Sequence, residues 1–350
     1  MKSEEELAKR NDEYANNVRR IYLLTIETLI IEALKALRSG NFINPDKPFS
    51  FKNCYPKIKD QANNIFRKFY SLVYGELSKA IGSEWSAANK NLDSVVENIL
   101  GKNVIEVKVF AKYFNHNEEA MKAFFARKSR SEGLNLSQKV WRYTGQVRQE
   151  LEAAIQIGIT EGKSSQSLAK QVMKYLQNPD LLVRKTNQLQ LEFPRIKGRG
   201  IYQSALKNAL RLTRTETNMA YHTANYERWQ QLDFVVGFEV RTSNNHPVED
   251  ICDELAGMYP KDFLFVGWHP ICRCFTVSVL CTREELGDLQ DKLLSSEETT
   301  GFTSINQVKS VPDNFTEWVE KNKERATSWA SLPYFLRDNI DHAPALKALL

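Results

Sequence analysis

Soft metal ligands are scarce in this chain of 350 residues, and they are unevenly spread: five cysteines and five histidines in all. An odd cysteine count, with Cys54 far from the other four, argues against the disulfide framework of a secreted domain and for a reduced compartment. Long apolar runs are missing. The most apolar stretch, 21–37, carries Glu27, Glu32 and Lys35, which argues against a membrane span. The opening residues MKSEEELAKRNDEY are acidic and polar, unlike a signal peptide. A strong charge of one sign is missing too. A net charge of +5 permits contact with nucleic acid without requiring it. There is no internal repeat, and no complete phosphate loop. Gly162-Lys163-Ser164 lacks both the upstream glycine spacing and the preceding strand that such a loop needs.

What is present is mostly helical periodicity. Residues 4–38 read as one long helix, with apolar positions from Val18 to Leu37 recurring at three and four. Asn, Pro, Lys and Ser over 41–52 predict a linker. Residues 55–99 read as two helices broken near Gly82-Ser83, and 104–109 as a short strand or a helix start. A basic helix over 117–130 follows. Ser137 is the expected N-cap of the next helix, and Ser164 or Ser165 of the one after it, which Asn178-Pro179-Asp180 stops. Residues 181–200 read as an irregular basic loop. Its Arg184, Lys185, Arg195, Lys197 and Arg199 are the candidate phosphate contacts, weighed against an exposed loop kept soluble by charge. Residues 202–232 form a further long helix, in which Glu216 is expected to serve as a buried hydrogen-bonding group.

At 234–242 the period changes to alternation, which predicts a strand, and FTVSVL (275–280) predicts a second. A helix over 284–294, linker-like residues 295–311, a helix over 314–331 and an aromatic tail complete the chain. The expected class is mainly α with a small β module (α+β). Its expected segments are 1–104 (N-terminal helices), 105–233 (central helical domain), 234–281 (β module) and 282–350 (linker and helical tail).

Between the two predicted strands lie three of the five cysteines and two of the five histidines. The order is His246, five residues, Cys252, sixteen residues, His269, two residues, Cys272, one residue, Cys274. Zinc takes four tetrahedral ligands from thiolates and imidazoles, and a shell filled by protein leaves no open coordination position. His246, Cys252, His269, Cys272 and Cys274 are therefore the candidate ligands of a structural zinc that clamps two loops. Buried free thiols and a Cys252–Cys272 disulfide are the competing readings. A catalytic cysteine would need an orienting or oxyanion group, and none can be assigned.

The run RLTRTETNMAYHTANYERWQQL, then HPVEDICDELAG, then GWHPICRC resembles the phage Mu F-like minor head (head morphogenesis) protein family. The matching positions are Arg214, Thr215 and Glu216; Cys252, Leu255 and Gly257; and His269, Pro270, Cys272, Arg273 and Cys274. The resemblance covers roughly 137–280. Where many members carry CxxC in the first loop, this chain has Glu249 three residues before Cys252, so His246 would take the missing cysteine's place. The resemblance implies a structural virion component, present in the host cytoplasm during assembly. Its partners would be portal and capsid or scaffold proteins, with a role in DNA packaging or delivery. Two alternatives stand beside it: an ADP-ribosyltransferase or toxin-like enzyme, and a DNA-binding protein using 184–199. The residues after Cys281 look too few and too helical for the first.

Overall fold

A computed structural model describes residues 2–38, 47–101, 108–129, 133–191, 204–243, 249–295, 299, 301–329 and 331–349. The chain is mainly α-helical with one small sheet, as the sequence predicts. Its helices are α1 (Lys2–Arg38), α2 (Pro56–Leu100), α3 (Glu118–Ala126), α4 (Leu136–Thr160), α5 (Ser165–Gln177), α6 (Pro179–Gln188), α7 (Ala205–Gln231), α8 (Ile251–Glu254), α9 (Arg283–Leu294), α10 (Asp313–Ala326) and α11 (Tyr334–Arg337). The strands are β1 (Val235–Arg241), β2 (Gly257–Tyr259) and β3 (Phe275–Leu280). No described helix is long and apolar enough to cross a membrane.

The chain groups into two compact units. One is Asp12–Lys79 with Gly133–Thr213, and the other is Met1–Asn11, Ala80–Glu132 and Arg214–Leu350. Among the described residues the first holds helices and connecting turns, and its regular elements are all helical. Val18, Tyr22, Ile26 and Leu29 of α1, Phe66, Phe69 and Val73 of α2, and Val147, Leu151 and Ile155 of α4 are buried in it. Glu152 of α4 is buried and accepts hydrogen bonds from the Phe51 N–H (3.0 Å) and the Ser50 hydroxyl (3.1 Å). The second unit holds the sheet, in the order β2-β1-β3 with both pairings antiparallel. Phe238 pairs with Tyr259 on one side, and Arg241 with Phe275 on the other.

Several local expectations are corrected. Residues 56–100 form one helix, not two: Gly82 sits inside it with open space around its Cα. An interior glycine costs a helix only about 0.5–1 kcal/mol. Each large apolar side chain buried beside it, Leu77, Ile81, Trp85 and Leu92, returns about 1.5–3 kcal/mol. The N-cap of α4 is Asn135, in a capping box with Gln138, rather than Ser137, which is the second helical residue and bonds Tyr70. Residues 181–188 are helical, because Pro179 opens α6 at a position where its missing N–H costs nothing. β2 was not foreseen; at three residues it is too short to alternate visibly. The 104–109 reading lies largely outside the described residues.

The stretch read as a linker is tied to the sheet. The Val308 N–H donates to the Val236 carbonyl, and Glu285 of α9 accepts from the Ser304 hydroxyl and the Ile305 N–H. The aromatic tail packs on this unit's own core. Phe335 lies edge-on to Trp268 at 5.4 Å, and the Asn339 side chain bonds both backbone groups of Leu264. Arg228, fully buried, ties α7 to α2 through Asp93 (2.8 Å) and Asn89 (3.3 Å).

Candidate metal centre

Every ligand-bearing residue of the centre sits in the long connection between β1 and β3. α8 supplies the first. Asp250 caps it, its carboxylate accepting from the Cys252 N–H at 2.7 Å, and the short helix turns Cys252 fully inward. The connection returns through Gly267-Trp268, and Trp268 anchors it among Tyr259, Phe265 and Phe335. Gly267 has φ +105°, and a Cβ there would stand 3.0 Å from Cys272 Cβ, so the backbone runs closer to the thiol than any side chain permits.

His269 to Cys272 is a tight turn closed by the Cys272 N–H donating to the His269 carbonyl. Its third residue, Ile271, has φ +66°, a conformation disfavoured for a β-branched residue. The Ile271 N–H donates to the Thr215 hydroxyl at 3.2 Å, which ties the turn to α7. Cys274 follows directly and leads into β3.

The sulfurs of Cys252, Cys272 and Cys274 all lie within 4.8 Å of one another, and all three residues are buried. Cys252 and Cys272 stand 3.7 Å apart, and all five cysteines of the chain are free thiols, so the disulfide reading is not realised. Hydrogen bonds from the Cys252 and Cys274 thiols, reinforced by the backbone N–H groups of Trp268 and Cys274, push the Cys272 thiol well below its ordinary range. The hydrogen bond to Cys272 pushes Cys252 up. The trio is arranged to favour a thiolate, a ready acceptor for a soft cation.

His269 adjoins the trio through Cys252. Its Nδ1 lies 2.8 Å from the Pro270 carbonyl, which can only accept, so Nδ1 carries a proton. Nε2 faces Cys252 Sγ at 3.1 Å and an Asp250 carboxylate oxygen at 3.3 Å. Asp250, Cys252 and His269 form a second group of ligand atoms within 4.8 Å, sharing Cys252 with the first.

One residue beside this centre escaped sequence reasoning. His222 of α7 is buried, and neither ring nitrogen has a hydrogen-bond partner of good geometry. Its ring lies edge-on to Phe265 at 5.0 Å. Burial pushes it down to about 4, with the Cys272 thiolate and the Cys274 backbone opposing the shift. His222 stands four residues after Asn218, whose amide lies 3.6 Å from where a Gly267 Cβ would be. A lone histidine at helical spacing from the motif residues was the available signal.

The other predicted positions divide. His246 lies outside the described residues, as do Arg195, Lys197 and Arg199. Arg184 and Lys185 sit on α6, not in a loop, and Lys185 pairs with Glu161 at 3.1 Å. Glu216 is buried and pairs with Arg127 at 2.5 Å, a structural hydrogen-bonding role of the kind expected. The chain matches no protein-family model, no curated protein and no solved structure.

Proposed function

We propose that this centre is a structural zinc clamp in which Cys252, Cys272, Cys274 and His269 hold the ion. The observation that carries the reading is the buried thiol trio, with the lone-pair face of His269 turned toward it. Bound zinc would supply a closed tetrahedral crosslink and no open position for chemistry. The chain's own residues do the rest. Asp250 caps α8, and the Pro270 carbonyl accepts from His269 Nδ1, as a carbonyl commonly does behind a histidine ligand. Backbone amides stabilise the Cys272 thiolate, and Thr215 holds the turn that presents it. Loading must expel the remaining thiol protons, so affinity falls as pH falls. Cobalt(II) titration tests this reading. Tetrahedral thiolate absorption should appear in the native chain, vanish in Cys252→Ala and Cys272→Ala, and change in His269→Ala. A native chain with no such absorption contradicts the assignment.

In the wider frame we propose that the chain is a structural phage minor head protein. The support is the residue pattern together with the way its parts serve one module. Thr215 of the Arg-Thr-Glu helix bonds the His-Pro-Ile-Cys-Arg-Cys turn, and Leu255 and Gly257 lead from α8 into β2. These roles are architectural, and they suit a component that holds a shape in an assembly. Co-expression with the adjacent portal protein tests it. Co-purification and incorporation into particles support the role, and absence from both refutes it.

A further inference from the structure

Apart from the metal module, the helical unit bears a surface that neither proposal uses. Along the rim where α2 meets α4, three aromatic rings stand in a row. Trp141 is 56% exposed and meets the Tyr70 ring edge-on at 5.3 Å. Tyr70 stacks in turn on Tyr74 at 6.0 Å with the planes only 7° apart. The Tyr70 hydroxyl is fixed to the Ser137 hydroxyl at 2.7 Å. Further along the rim, Arg148 bonds Asn63 at 2.8 Å.

The stretches that carry the rings are basic. Residues 61–75 of α2 and 133–149, bordered by Asp60, Glu76 and Glu150, contain Arg67, Lys68, Lys139, Arg142 and Arg148 and no Asp or Glu. Arg67 is exposed and lies on the turn between Asn63 and Tyr70, two α2 residues that bond α4, whereas Lys68, two residues before Tyr70, projects from another side of the helix. A large aromatic left open to water forgoes burial that a packing role would use. A ring row held by hydrogen bonding and stacking, with an exposed arginine on the neighbouring turn, has the two components of a single-strand platform. Aromatic faces stack unpaired bases, and cations meet the phosphates.

We propose that the Trp141–Tyr70–Tyr74 rim binds single-stranded nucleic acid, with Arg67 at the phosphates. This inference is independent of the zinc clamp and of the head-protein reading. Duplex already stacks its own bases and offers the rim only phosphate, so the site should prefer single strands.

The test is fluorescence anisotropy of the full chain with a labelled oligothymidylate of about 16 nucleotides, in about 50 mM and about 200 mM salt. A matched duplex and phosphatidylglycerol vesicles serve as competitors. Trp141→Ala should weaken single-strand binding by roughly five- to a hundred-fold, the range of one base–aromatic stack, and Trp141→Phe should restore most of it. Arg67→Ala should lower the salt slope by about 0.7, one phosphate no longer being neutralised. Zinc content should be unchanged in all three, so that failure here is separable from failure of the metal reading. The proposal is overturned if the native chain does not bind at low salt, or if Trp141→Ala binds like the native chain. Duplex competing as well as single strand, or uptake by vesicles in place of the oligonucleotide, overturns it equally.

Discussion

Gly267→Ala probes the metal centre without touching a ligand. The native residue holds φ +105°, a backbone region that costs a residue with a side chain on the order of 1–3 kcal/mol. The new methyl would also stand 3.0 Å from Cys272 Cβ, closer than carbon atoms pack, so the Cys272 turn must give way. The two effects sum to roughly 2–4 kcal/mol. At about 2–4 °C per kcal/mol for a domain of some 150–250 residues, the melting temperature should fall by roughly 5–15 °C. Because the displaced group is a metal ligand, zinc release to a chromogenic chelator should also quicken. Gly82→Ala is the matched control. Gly82 is helical with nothing within 4 Å of the added methyl, so alanine should stabilise by about 0.5–1 kcal/mol. A Gly267→Ala protein that melts and holds zinc like the native chain would refute the reasoning.

Three further outcomes are expected. Cys272→Ala should lower the melting temperature more than Cys54→Ala although both cysteines are buried, and chelation should erase most of the difference; equal melting points before chelation speak against a metal crosslink. Thr215→Val removes the acceptor of the Ile271 N–H and should cost about 1 kcal/mol while speeding metal release, and unchanged release would deny Thr215 a role in holding the turn. Glu285 is held down to about 2 by bonds from Ser304, Ile305 and Thr282. A depressed carboxylate stabilises fully above its unfolded value of 4.5, and that contribution is lost as pH falls from there toward 2. Native protein should therefore lose more urea resistance across that window than Glu285→Gln, and parallel losses would contradict a stabilising role for Glu285.

The long helices were legible because their apolar stripes repeat over many turns, and β1 and β3 because alternation survives over six or seven residues. Errors arose where a local signal was outweighed. Gly82 read as a break because periodicity does not weigh a glycine against the burial on either side of it. Ser137 read as a cap because serine caps well, yet Asn135 has Gln138 three residues on to complete the box. The aromatic tail packs on Trp268 of the same unit, a long-range pairing that its sequence does not specify. In the candidate site, the spacing of Cys252, His269, Cys272 and Cys274 sufficed to bring them together. His222 left only the spacing of a lone histidine as a signal, because its place depends on how α7 meets the turn, a long-range fact that local spacing does not carry.

The central claim is that these residues hold one structural zinc ion. Elemental analysis of the full chain, purified without added metal, tests it most directly. The account predicts about one equivalent of zinc per chain, lost together with thermal stability on chelation under denaturing conditions. Less than about a tenth of an equivalent in protein that is folded and stable would contradict it.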